Sequence, residues 1–238
     1  ERHPHVHVKA LTAVEIAHLA RIEGVTTKDV IRELKDAGLD AMPGGGAEVF
    51  SPAVRSTIAD RKLAADEWLQ VHREAHEMAI PTNCTLLYGH VESSADRVDH
   101  MLMLRDLQDE TRGFSTFIPL AWHPDNTALG REMGVEGHRT GGLDDLKALA
   151  VGRILLDNIP HIKTHWIMVT TKVSQIALSF GVDDLEGTVV LEKITHTAGA
   201  DTPIGLDLDE IVRLIRDAGK TPVERDSLYN AVAEPAVA

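Results

Sequence analysis

The chain has 238 residues, 43% of them hydrophobic and 26% charged, enough for one sizeable core. Its 24 basic and 37 acidic residues leave a net charge of −13, a field that repels nucleic acid and anionic lipid, so neither is expected as a partner. No apolar run approaches the ~20 residues of a membrane span, and the single cysteine, Cys84, excludes an intramolecular disulfide and fits a reducing cytoplasm.

The chain starts at Glu1 and opens almost at once on "HPHVHVKAL", where Val6 and Val8 alternate with His5, His7 and Lys9 in a period-2 strand pattern. A start in mid-strand raises the expectation of a missing upstream portion. Thr12 and Glu15 have capping-box spacing and open a helix to about residue 22. Thr26 and Asp29 repeat the signal before a second helix, which Gly38 closes. A short strand over 39–42 then runs into "PGGGAE".

Asp66 is expected to cap a helix to about residue 79, followed by a strand over Thr82–Tyr88. Ser93 caps a long helix with Val98, Met101, Leu102 and Arg105 at helical spacing, ending at Gly113. A strand over Phe114–Ala121 leads into a polar, Gly-rich stretch, 123–142, which reads as a long mobile loop. Next come a helix over 144–158 halted by Pro160, a strand over 161–169, a helix over 172–180 and a strand over 185–190. A final amphipathic helix covers 207–218, and the tail from Ala231 is expected to fray.

Six strands separated by helices imply an α/β fold with a parallel sheet and right-handed crossovers. A doubly wound open sheet and a (β/α)₈ barrel both remain open at this point. Either architecture gathers functional groups at the C-terminal ends of strands. Those ends carry Lys9, the 43–48 loop, Tyr88, His90, Glu92, Trp122, His123, Trp166 and Met168, and then Asp183, Asp184 and Glu186.

Three consecutive glycines, Gly44, Gly45 and Gly46, suit a tight turn or a close backbone approach. Without a lysine they are no phosphate-binding P-loop. Both a plain strand-to-helix turn and a ligand-lining loop fit them, with Glu48 placed to accept from a hydroxyl or amine. His90 and Glu92, two apart, suit acid–base work or ligand contact, or plain loop polarity. His5, His7 and Lys9 share one strand face, as do His161, Lys163 and His165. No carboxylate at a matching offset and no H-E-x-x-H accompanies them, so packed histidines and a lysine for an anionic group are expected rather than a metal. Cys84, inside an apolar strand, reads as inert packing.

Several strings together resemble one family. They are "HVHVKALTAVEI" (5–16), "LKDAGLDAMPGGGAEVF" (34–50), "LLYGHVESSADRVDHMLMLRDLQDETRGFSTFIPLAWHP" (86–124), "LDNIPHIKTHWIM" (156–168) and "GVDDLEGTVVLEKITHTAGADTP" (181–203). They resemble the radical S-adenosylmethionine enzymes of the futalosine route to menaquinone and the related deazaflavin-forming synthases, over nearly the whole chain. Within that group "HIKTHWIM" and "DDLEGT" are similar to the aminofutalosine synthases rather than the dehypoxanthine futalosine cyclases.

The resemblance implies a (β/α)₈ barrel of radical S-adenosylmethionine type, here incomplete. About six βα units over 1–200 correspond to strands three to eight, with a C-terminal helical extension over 201–230 and a disordered tail over 231–238. The family's C-x₃-C-x₂-C loop, which holds a [4Fe–4S] cluster, has no counterpart here, so the cluster belongs to the full-length enzyme only and this chain alone is expected to be inactive.

The implied reaction adds the 5′-deoxyadenosyl group of S-adenosylmethionine to 3-[(1-carboxyvinyl)oxy]benzoate, with an electron donor serving the cluster. The alternatives are a dehypoxanthine futalosine cyclase or a deazaflavin-forming synthase of the same radical type and, in different classes, a cluster-free, nucleoside-binding remnant or a barrel hydrolase with a divalent metal on its histidines. Residue by residue, the resemblance places Gly44, Gly45, Gly46, Glu48 and Tyr88 beside S-adenosylmethionine. It makes His90 and Glu92 catalytic, and it gives Lys9, Lys163 and His165 to the substrate.

Overall fold

The computed structural model describes residues 3, 6–135, 140–189, 193–199 and 202–233. Its elements in chain order begin with α1 (Ala13–Glu23), α2 (Thr27–Asp36), α3 (Pro52–Ile58), α4 (Ala65–Glu77), β1 (Thr82–Tyr88), α5 (Ser94–Thr111) and β2 (Phe114–Ala121). Then follow α6 (Ala128–Met133), α7 (Gly142–Leu155), β3 (His161–Thr164), α8 (Trp166–Val169), α9 (Thr171–Ala177), β4 (Asp184–Leu185), α10 (Ile194–Thr197), α11 (Leu208–Asp217), β5 (Glu224–Arg225) and β6 (Ala231–Ala233).

The fold is α/β, with a parallel four-stranded sheet in the order β1-β2-β3-β4. In β3 and β4, Lys163 stands opposite Asp184 and Thr164 opposite Leu185. The strands expected at 5–9 and 39–42 shrink to single parallel bridges, Lys9 to Ala41 and Met42 to Thr82, residue 5 lying outside the described residues. Asp40 accepts the Val8 N–H through its side chain at 2.7 Å, which helps hold that short pairing.

Helix starts follow the sequence chemistry. The Thr12–Glu15, Thr26–Asp29 and Ser93–Asp96 pairs are all reciprocal capping boxes. Asp66 is not a cap. It sits in the first turn of α4, and the Glu67 carboxylate reaches back to the Ala64 N–H at 3.0 Å, so the helix starts earlier. The expected 123–142 loop contains α6, capped by Thr127; residues 136–139 lie outside the described residues. The expected strand over 161–169 ends at Thr164, and Trp166–Val169 forms a helical turn. Of the expected strand over 185–190, the described residues show Asp184–Leu185 as strand, and residue 190 lies outside the described residues. Ala231–Ala233, expected to fray, pair antiparallel with Glu224–Arg225.

The chain divides into two compact units, and the division runs through β1 and β2. The first comprises Glu1–Leu86, Glu92–Phe117 and Leu155–Pro160. Its core is aromatic and histidine-rich. Trp68 packs against His72 at 3.8 Å and Phe50 stacks on His100 at 4.0 Å, centroid to centroid. The Thr82 hydroxyl lies 2.8 Å from both His72 Nδ1 and His76 Nε2. The second unit comprises Leu87–Val91, Ile118–Ile154 and His161–Ala238. In it Trp166, Ile167, Leu206, Ile211 and Leu214 form a buried cluster.

The glycine loop packs against its own unit. A Cβ on Gly44 would meet the Asn83 carbonyl oxygen at 2.6 Å, and one on Gly46, at φ +87°, would meet Val14 at 2.5 Å. The Gly44 carbonyl accepts from Thr85 Oγ1 at 2.7 Å and the Gly45 carbonyl from the Trp68 indole at 3.2 Å. Among the described residues, no helix is long and apolar enough to cross a membrane.

Two measurements check this packing. Gly44→Ala forces a methyl against β1 backbone and should cost about 1–3 kcal/mol in urea unfolding; unchanged stability would mean that Gly44 is not held by β1. The second concerns pH. Desolvation holds His76 at about 4 and His100 at about 3, and pushes His72 well below its ordinary value. These folded values lie below the unfolded value of about 6.5, so in that window the unfolded chain binds more protons. The unfolding midpoint should therefore drop between about pH 6.5 and pH 4, and an equal midpoint at both would contradict neutral, buried imidazoles.

Candidate functional site

Lys9, the glycine loop, Glu48 and Glu92 belong to the first unit; Tyr88, His90, Lys163 and His165 belong to the second. In the first, Lys9 is exposed at its bridge to Ala41. Glu48 has a left-handed backbone (φ 49°) and an ion pair with Lys62. The loop around it is drawn onto Arg55, a buried cation of α3. Its guanidinium donates to the carbonyls of Ala47 at 2.5 Å and Val49 at 3.3 Å, and to that of Leu63. Carbonyls turned inward this way can compensate a buried guanidinium. Glu92 has a fully covered side chain and accepts from Arg97 Nε and Nη2, both at 2.8 Å.

In the second unit His90 is held by the turn it sits in. The Val91 N–H donates to Nδ1 at 2.8 Å, so the ring proton is on Nε2, which donates to the Leu87 carbonyl at 3.0 Å. Tyr88 is fully buried, and its hydroxyl donates to Asp145 Oδ1 at 2.9 Å. Burial raises the Asp145 carboxyl, partly offset by hydrogen bonds from Thr140 and Tyr88. Asp145 borders a cavity of about 110 Å³ with Trp122, His123, Met168 and Thr170. His123 lies 3.0 Å from the Met168 carbonyl through Nε2.

A second cluster stands on β3 and β4. Thr164 faces α9, where its hydroxyl bonds Ser174 at 2.9 Å, so Lys163 takes the opposite sheet face. Lys163 Nζ lies 3.5 Å from Asp184 and 3.4 Å from Glu186, with His165 Nε2 4.0 Å from Glu186. Arg225 grips Asp184 through Nε at 2.9 Å and Nη2 at 2.7 Å. Tyr229 stacks on His161 at 4.1 Å, and the Arg225 guanidinium lies 4.1 Å from the Tyr229 ring centroid. Along β4, a groove of about 660 Å³ is lined by Leu178, Val182, Leu185, Ile211, Val212 and Ile215 among others.

Lys163, His165 and Glu186 are thus brought together, whereas Tyr88 turns its hydroxyl to a carboxylate and His90 to backbone. Asp145, Arg55 and Arg225 were not singled out by sequence. Asp145 carries no local signal beyond a helix start, because its partner Tyr88 is 57 residues away. Arg55 follows the glycine loop closely, and a lone arginine in the apolar run "PAVRSTI" was the available hint.

The chain is 53% identical over 232 residues to the aminodeoxyfutalosine synthase of Thermus thermophilus, covering 98% of this chain and 62% of that protein. The Streptomyces coelicolor protein of the same name is 44% identical, over 97% of this chain and 61% of its own length. The 5-amino-6-(D-ribitylamino)uracil–L-tyrosine 4-hydroxyphenyl transferase of Methanopyrus kandleri is 43% identical, over 96% and 62% respectively. The chain therefore spans about three-fifths of the length of these curated relatives, all named as synthases or transferases. Residues 111–237 match the family described as the CofH/MqnC C-terminal region, and to that family this chain belongs.

Proposed function

We propose that this chain is the larger, C-terminal part of an aminodeoxyfutalosine synthase of radical S-adenosylmethionine type, cytoplasmic and acting in menaquinone synthesis. The observation that carries the reading is the 53% identity to the Thermus thermophilus protein across 98% of the chain, against 43% to the Methanopyrus kandleri transferase. On this reading segments 8–10 and 41–42 and β1 to β4 are strands three to eight of a (β/α)₈ barrel. The groove along β4 then receives an adjoining strand from polypeptide outside these residues. The C-terminal extension over 201–230 keeps its place in this scheme; of the tail, 231–233 pair with β5 and 234–238 lie outside the described residues.

The residues present do not fit a [4Fe–4S] cluster. Cys84 is the single cysteine, fully buried, with its thiol pushed well up by desolvation. Among the described residues, no group of three His, Cys, Asp or Glu side chains is placed to hold a metal. On this reading the cluster's ligands lie outside this chain.

The set assigned to S-adenosylmethionine also fits poorly. Gly44 and Gly46 pack against Asn83 and Val14, Tyr88 donates to Asp145, and Glu48 pairs with Lys62. Nor does His90 suit a proton shuttle, since both its nitrogens are taken by backbone. Glu92, already neutralised by Arg97, fits an anchor of α5 better than a catalytic base. Lys9, exposed, keeps the assignment to a substrate carboxylate.

The test uses the full-length polypeptide, reconstituted anaerobically with iron and sulfide and reduced by dithionite. Supplied with S-adenosylmethionine and 3-[(1-carboxyvinyl)oxy]benzoate, it should give aminofutalosine by mass spectrometry. Product formed only from L-tyrosine and 5-amino-6-(D-ribitylamino)uracil would overturn the reading in favour of the transferase class. In the same assay Lys9→Ala should raise KM about tenfold, the loss of one charge-assisted bond; unchanged KM and kcat would remove the carboxylate assignment.

A further inference from the structure

On the face of β3 and β4 away from α9, Lys163 and Arg225 balance Asp184 and Glu186, two positive charges against two negative. Asp184 is well served. It accepts the two close Arg225 bonds, the Tyr229 hydroxyl at 3.3 Å, and the charge of Lys163. Glu186 is not. Its Oε2 has Lys163 at 3.4 Å and His165 at 4.0 Å, and its Oε1 has the Gly187 N–H at 3.4 Å. A good charge-assisted bond is roughly 2.7–2.9 Å long. The Glu186 side chain remains 28% exposed, so the carboxylate is reachable. Desolvation pushes its pKa up, but Lys163 and then His165 outweigh this and hold it below the usual carboxylate value.

An ionised, largely covered carboxylate whose bonds to the described residues are all long has acceptor capacity that a closer donor fills. An arriving anion would face Glu186 itself and would have to draw Lys163 away from two carboxylates. A hydroxyl meets neither obstacle, and two adjacent hydroxyls can address both oxygens of one carboxylate.

We infer that Glu186, with His165 beside it, forms a subsite for an uncharged vicinal diol, and that Lys163 is its counter-ion instead of the receiver of a substrate carboxylate. This deepens the synthase reading, and rests on it only for the expectation that the ligand carries a ribosyl or ribityl group. The Methanopyrus kandleri relative is itself named for a D-ribityl compound.

Ligand-observed NMR titration of the full-length polypeptide, with no cluster reconstituted, tests it by binding rather than turnover. Adenosine and D-ribitol are the diol probes, 2′,3′-dideoxyadenosine the matched probe without a diol, and benzoate the anionic one. At least one diol probe should bind, and should weaken about tenfold in Glu186→Gln, the loss of one bond to a charged acceptor. If adenosine is the binder, its dideoxy analogue should be weaker by about the same factor. Equal thermal midpoints show that the variant is folded; if it is not, the comparison of probes on the unsubstituted protein decides. Failure of both diol probes overturns the inference. So does equal affinity for adenosine and its dideoxy analogue without ribitol binding, or benzoate binding that Lys163→Met abolishes. Diol binding that depends on Glu186 in a protein that makes no aminofutalosine overturns the synthase reading and leaves the subsite standing.

Discussion

The pairing of Lys163 with Asp184 across β3 and β4 is the constraint on which the second unit's chemistry depends. Parallel register fixes these two side chains as neighbours on one face, and the alternation of strand residues brings Glu186 onto that face as well. Lysine and carboxylate removed from water demand mutual compensation. Arg225 supplies the remaining charge from the far end of the sequence. What the face recognises is set by this sum, because a balanced cluster offers little to an ion.

The same logic runs through the polar residues at the strand ends of both units. Glu92 is answered by Arg97, Glu48 by Lys62, and the Tyr88 hydroxyl by Asp145. His90 is answered by the backbone around it. Each of these four groups has found a partner within its own unit. A polar residue at a strand end can therefore be a joint of the scaffold rather than a contact for a ligand, and its partner decides which.

Local chemistry was legible in the sequence and distant chemistry was not. Capping boxes at Thr12, Thr26 and Ser93 announce their helices because donor and acceptor lie three residues apart. Strands Thr82–Tyr88 and Phe114–Ala121 fall where their apolar, β-branched runs put them. The run from His161 to Val169 misleads, since "WIMV" is apolar enough for a buried strand or a buried helical turn. Thr170, at φ +81°, accepts the Val173 N–H and opens α9 directly after that turn. Asp66 looked like a cap only because acidic residues favour first turns as well as N-caps. For the site, Lys163 and His165 are visible as alternating strand residues and Glu186 as a strand-end residue, but their convergence is not, since Glu186 and Arg225 lie 23 and 62 positions beyond Lys163, out of reach of any spacing rule.

The segment around Arg225 and Tyr229 is electrically a piece of the sheet, although it lies past the last strand of that sheet. A chain trimmed before residue 224 would leave Asp184 with one cation where it now has two. Lys163 would then be drawn toward the stripped carboxylate and away from Glu186, whose ionisation it now supports. Shortening the protein at that end would thus alter charge at the end of β4 without touching a residue there, an action at a distance carried by a shared ammonium group.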